Sequence, residues 1–137
     1  MQFFPTILLA DDNFDDKVFL RDAFDFIGAK VNLLLFDNGI DAIDYLQSCS
    51  AYNLPDLIIL DYSMPKMNGF EIWKCINNQE ALKHIPKVIL SSGKFSPFAA
   101  SYDIDTKSFF VKPGNIFDFK KLALDLLKII KTQESYH

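Results

Sequence analysis

The chain holds 137 residues, which at roughly 100 to 200 residues per domain allows one folded unit and leaves no room for a second. Half of them are apolar and 23% charged, a balance that supplies a core and excludes the low-hydrophobicity, high-charge signature of disorder. Fourteen Lys plus Arg against eighteen Asp plus Glu leave a net charge of -4, so the basic footprint of a general nucleic-acid binder is missing.

Five short aliphatic runs recur along the chain, at 6–10, 31–36, 57–60, 88–90 and 108–111, each flanked by polar or turn residues. They read as strands buried on both faces. Between them the apolar residues take helical spacing. Phe14, Val18, Leu20, Phe24 and Ile27 predict a first helix, Ile43 and Leu46 a second, and Ile72, Trp73 and Ile76 a third. A fourth falls near 96–102, where the pattern is short and 103–107 looks like loop. Phe119, Leu122, Ala123, Leu126 and Ile130 mark the last, with Lys120, Lys121, Lys128 and Lys131 turned to water, and the polar tail at 132–137 is expected to fray. Strands alternating with helices pair in parallel through right-handed crossovers, with helices on both faces of the sheet. In such sheets ligands bind beyond the carboxyl ends of the strands, where strand order reverses.

The polar residues at those ends are therefore the candidates for function. The first strand runs into Asp11 and Asp12, the third into Asp61, the fourth into Ser91 and Ser92, and the fifth into Lys112 and Pro113. Taken singly, each has a bland explanation as a helix cap, a turn former or a solvated side chain. Three acids, a hydroxyl and a lysine converging on one edge would repel one another unless something held them, because neighbouring carboxylates raise each other's pKa or require a cation. A few oxygen ligands suit Mg²⁺, which keeps several waters and shares its shell with phosphate. Cys49 and Cys75 show neither CxxC nor Cys/His metal spacing, which favours a reducing compartment, so a cytoplasmic location is expected. The N-terminus has no basic stretch or small-residue cleavage site, and the pure apolar runs fall far short of the ~20 residues of a membrane span.

The residues ADDN at 10–13, LDYSMPKMNG at 60–69, SSG at 91–93 and FFVKP at 109–113, in this order and each at a strand end, resemble the receiver domain of two-component response regulators. The likeness covers nearly the whole chain and is to the stand-alone single-domain type, such as the chemotaxis response regulator. It implies an α/β, flavodoxin-like, doubly wound sheet of five parallel strands, (βα)5, in the order 2-1-3-4-5. One receiver domain would span residues 1–137, without an output domain. The resemblance further implies that Asp61 is the phosphoacceptor. Asp12, Asp61 and the backbone carbonyl of Ser63 would hold Mg²⁺, with Asp11 behind them orienting the metal's waters. Lys112 would pair with the phosphoryl oxygens, Ser91 would bond one of them, Ser91 and Phe109 would form the switch, and the Lys112–Pro113 bond would be cis. On this reading the chain is not an enzyme beyond its own phosphorylation and dephosphorylation. Its partners would be a histidine kinase or a histidine phosphotransfer protein, then a downstream protein, with a second copy of the chain as a further candidate; neither nucleic acid nor membrane is expected.

Other readings meet specific obstacles. An EF-hand loop starting at Asp11 would need Gly where Asp16 stands and Glu where Asp22 stands. An aspartyl-phosphate hydrolase would be expected to carry DxD, whereas Ser63 stands two residues after Asp61. No GxGxxG or GxxxxGK[ST] follows the first strand, as a nucleotide-binding fold would need. A receiver-like module that binds partners without phosphorylation is the remaining alternative. Gly69 would let the turn after Asp61 fold back, and Phe70 and Trp73 would pack on the sheet. Phe95 and Phe98, in a segment of weak helical pattern, are candidate interface anchors. The expected output surface is the face formed by the fourth helix, the fifth strand and the last helix.

Overall fold

The computed structural model describes residues 4–93 and 102–134. Five strands, β1 (Thr6–Ala10), β2 (Asn32–Phe36), β3 (Leu57–Asp61), β4 (Lys87–Ser91) and β5 (Phe109–Val111), form one parallel sheet in the order β2-β1-β3-β4-β5. Helices α1 (Phe14–Phe26), α2 (Gly39–Ser48), α3 (Gly69–Asn77) and α4 (Ile116–Glu134), with short 3-10 turns at Ala51–Asn53 and Thr106–Ser108, complete the described elements. The helix expected near 96–102 lies outside the described residues apart from Tyr102, as do Phe95 and Phe98. Among the described residues no helix is long and apolar enough to cross a membrane.

Burial follows strand position. The interior strands β3 and β4 are buried along their whole length, and β1 all but its first residue. β2 and β5, expected to be buried on both faces, are only partly covered because each is an edge with a neighbour on one side. Alternate side chains of the inner strands feed two cores. Leu8, Ile58, Leu60 and Ile89 meet α2 and α3 through Leu46, Phe70, Ile72 and Trp73. Ile7, Leu9, Ile59 and Leu90 meet α1 and α4 through Leu20, Phe24, Phe119 and Leu126.

Three helical expectations change. Phe14 is 73% exposed. The inward face of α1 is instead Lys17, Leu20, Ala23 and Phe24, and Lys17 is buried because its ammonium pairs with Asp37 just after β2. The last helix continues to Glu134, past the point where fraying was expected. Of its outer lysines, Lys120 does not simply face water: its ammonium lies 3.3 Å from the Phe26 ring centroid and 5.3 Å from that of Phe117.

Candidate phosphoryl-acceptor site

The strand ends assemble the site. Asp11 follows β1 and its backbone N–H donates to the Phe36 carbonyl (3.0 Å), Asp61 closes β3, Ser91 closes β4, and Lys112 follows β5. The Lys112 backbone N–H donates to the Ser91 carbonyl at 2.7 Å, which carries the ladder one residue beyond β5 and fixes where the lysine side chain starts. Its ammonium then lies 3.1 Å from Asp61 Oδ1, 3.2 Å from Asp11 Oδ2 and 2.7 Å from Asp16 Oδ2. The Lys112–Pro113 peptide is trans, against the expectation of cis. Trans is the lower-energy form of an X-Pro bond by about 0.5–1 kcal/mol, and Lys112 reaches all three carboxylates with it.

Local backbone chemistry holds the acids in place. Asp11 Oδ1 accepts the Asn13 N–H (2.8 Å), and the Asn13 side chain caps α1 by accepting from the Asp16 N–H (3.1 Å). After Asp61 the chain turns through Lys66, at φ 71°, into a capping box in which Asn68 and Glu71 each accept the other's backbone N–H at 3.0 Å. Gly69 fits the turn because of close approach: a Cβ there would stand 2.7 Å from the Asp61 carbonyl oxygen. The Ser63 N–H lies 3.3 Å from Asp61 Oδ1, and the Gly93 N–H donates to Ser91 Oγ at 3.1 Å.

Asp11, Asp12 and Asp61 each offer a carboxylate oxygen, and these oxygens lie within 4.8 Å of one another. Asp11 and Asp61 are buried and Asp12 is exposed. Burial and the neighbouring Asp11 carboxylate push Asp61 up to about 7, against the pull of Lys112. Burial likewise raises Asp11, although the Asn13 N–H and Lys112 oppose it. For Lys112 burial acts downward, but Asp16, Asp11 and Asp61 together hold its pKa above the ordinary lysine value. Asp11 Oδ2 is buried with no hydrogen-bond partner among the described residues: Lys112 attracts it as a charge without hydrogen-bonding geometry. An orphaned buried carboxylate oxygen beside two further carboxylates, one open to solvent, is a donor set that suits a hard divalent cation.

The structure thus brings together Asp11, Asp12, Asp61, Ser63, Ser91 and Lys112. Phe109 lies in β5, half-buried, with its ring centroid 6.4 Å from that of Phe70. Sequence reasoning missed Asp16, the carboxylate nearest to the Lys112 ammonium. Asn13 as the helix cap signals that the first turn of α1 rises from the same edge, but the pair Asp15-Asp16 leaves open which of the two turns inward.

A doubly wound sheet with an acidic cluster and a lysine at the switch point defines a receiver-type signalling domain. The chain belongs to the response regulator receiver domain family, whose model matches residues 7–123. Among its relatives is the two-component response regulator ARR5 of Arabidopsis thaliana, 31% identical over 131 residues, covering 89% of this chain and 70% of that protein. Among solved structures, the phosphorylated cyanobacterial phytochrome response regulator RcpA is 27% identical with a TM-score of 0.77, covering 88% of this chain and 89% of that one. The Mn²⁺-bound form of response regulator Rcp1 is 28% identical with a TM-score of 0.73, covering 87% and 88%.

Proposed function

We propose that this receiver domain takes a phosphoryl group onto Asp61 from a histidine kinase or a histidine phosphotransfer protein, with Mg²⁺ as its cofactor. The observation that carries this reading is the Lys112 ammonium 3.1 Å from a carboxylate that closes the central strand, within the cluster of three acids. An Asp61 carboxylate oxygen attacks phosphorus in line, the new P–O bond forms as the bond to the donor's imidazole nitrogen breaks, and the electron pair leaves with the imidazole. Asp12, Asp61 and the Ser63 carbonyl would hold the metal, with Asp11 steadying its waters. The bound cation supplies charge neutralisation for the phosphoryl oxygens. Lys112 supplies the second positive charge, and the Ser91 hydroxyl, whose oxygen already accepts from Gly93, keeps its own proton to donate. The domain catalyses only its own phosphorylation and dephosphorylation.

The relatives' names support this reading, RcpA having been solved phosphorylated and Rcp1 with Mn²⁺. Acetyl phosphate with Mg²⁺ should add one phosphoryl mass to the chain, labile to hydroxylamine, and none to the Asp61→Asn variant. Equal labelling of the variant would remove Asp61 as acceptor. The acyl phosphate should be short-lived, because Ser63 and Gly93 beside it are small and exposed. A Cβ at Gly93 would find its nearest neighbour, Ser91 Oγ, only at 3.9 Å, so Gly93→Leu is expected to fold and to lengthen the phosphoryl half-life several-fold in a hydrolysis time course.

Phosphorylation would draw in Ser91 and change the space beside Phe109, and the partner would read the change on the face of β5 and α4. That face carries exposed Val111, Ile116 and Phe117.

A further inference from the structure

Lys87 opens β4, at the opposite end of the sheet from Asp61, immediately before the apolar run at 88–90. It shares a sheet face with Ile89, and there its side chain runs beneath α3, with its ammonium 5.5 Å from the Trp73 ring centroid. Lys87 is 7% exposed. Two of its three protons go to main-chain carbonyls, of Ile85 at 2.7 Å and of Lys83 at 3.3 Å. Among the described residues no carboxylate lies within 4 Å of it, unlike Lys83, which has Glu80 at 3.0 Å, and Lys128, which has Asp125 at 3.9 Å. Burial without a counter-charge pulls its pKa down to about 8.

A second unmet demand lies beside it. Trp73 Nε1–H is buried and has no acceptor among the described residues. Buried indole N–H groups usually have one. Lys87 and Trp73 both line a cavity of about 540 Å³, between the carboxyl end of α3, the amino ends of β4 and β5, and α4. Lys83, Lys107 and Lys128 line it too, and Asn77 and Ser108 add an amide and a hydroxyl; no Asp or Glu takes part in the lining. Its size is within the range of small-molecule sites. Lys87, with no carboxylate within 4 Å among the described residues, and the Trp73 indole N–H beside it, on a wall with an apolar ring, suit a ligand that brings acceptors and negative charge.

We propose that this cavity is a second ligand site, distinct from the strand-end acids, which takes a small phosphorylated organic molecule with its oxyanion set between Lys87 and the Trp73 indole N–H. Lys107 and Lys128 stand at the rim, from the 3-10 turn Thr106–Ser108 that leads into β5 and from α4, so an occupant would tie that turn and the last helix to α3 from the end of the sheet remote from Asp61.

The chain has one tryptophan, so the indole N–H gives a single resonance in a proton–nitrogen correlation spectrum. Inorganic pyrophosphate, added without metal, is expected to move that resonance downfield and to saturate. Chloride at matched ionic strength should not reproduce the shift. Lys87→Met, which keeps the side-chain volume, and Lys107→Gln, at an exposed position, should each weaken the apparent affinity by about tenfold or more, the loss expected for one charge-assisted hydrogen bond. Asp61→Asn should leave the titration unchanged. A shift that fails to saturate, that chloride reproduces or that persists at full affinity in both lysine variants would overturn the proposal. So would its loss in the Asp61→Asn chain, which would assign the anion to the strand-end site.

Discussion

The metal-free Asp61→Asn variant is expected to be more stable than the parent at neutral pH by ~2–4 kcal/mol. Burial and Asp11 lift the Asp61 carboxyl from 3.8 to about 7 in the folded chain, so folding works against its ionisation. Below about pH 4 the group is protonated in both states and costs nothing. As pH rises from there toward 7, the unfolded chain gives up the proton and the folded chain keeps it, so the parent loses stability across this window; above it the whole penalty is present. The amide carries no such term, and Lys112 keeps Asp11 and Asp16 as partners in the variant. Urea unfolding in EDTA at pH 4, 5.5 and 7.5 should show parent and variant nearly equal at the first pH and separating at the next two. Mg²⁺ should then close the gap by stabilising the parent alone. Equal stability at pH 7.5 without metal would mean that Asp61 ionises in the fold at no cost.

Gly69→Ala should damage fold and site together. The added Cβ would meet the Asp61 carbonyl oxygen at 2.7 Å, Tyr62 Cα at 3.0 Å and the Asp61 carbonyl carbon at 3.2 Å. All three are backbone atoms at the end of the central strand, so relief requires β3 and α3 to separate. The Gly69 N–H also donates to the Tyr62 carbonyl at 2.9 Å, which ties the helix start to that strand end. Overpacking of this kind costs about 1–3 kcal/mol. Because Asp61 itself must move relative to Lys112, the rate of phosphorylation by acetyl phosphate should fall by roughly 10- to 100-fold, beyond what lost stability explains. Gly93→Ala is the control, since its Cβ would meet Ser91 Oγ at an ordinary 3.9 Å and its midpoint should stay at the parental value. A Gly69→Ala chain with parental melting temperature and parental rate would show that the turn accommodates a methyl group.

The strands were legible because interior parallel strands are continuous apolar runs, and such runs need only composition to be seen; their order in the sheet followed only from the resemblance to receiver domains. The strand-end acids and Lys112 were legible for a related reason: a charged residue ending an apolar run marks the carboxyl edge of the sheet. What depends on neighbours was not. Whether a run is covered on one face or two is settled by its place in the sheet, so β2 and β5 came out half-covered. Phe14 fits the apolar spacing of α1 yet faces water, while Lys17 on the same helix is buried against Asp37.

Sequence by itself determined the alternation of elements and the one edge that receives Asp11, Asp12, Asp61, Ser91 and Lys112, since periodicity and strand ends are local properties of the chain. Only the tertiary structure decided that Asp16 closes around Lys112, that the Lys112–Pro113 bond is trans, and that Lys87 is buried beside the Trp73 ring. The first and the last of these turn on what a residue distant in the chain brings close, and pairings across 96 residues, as between Asp16 and Lys112, leave no trace in local pattern.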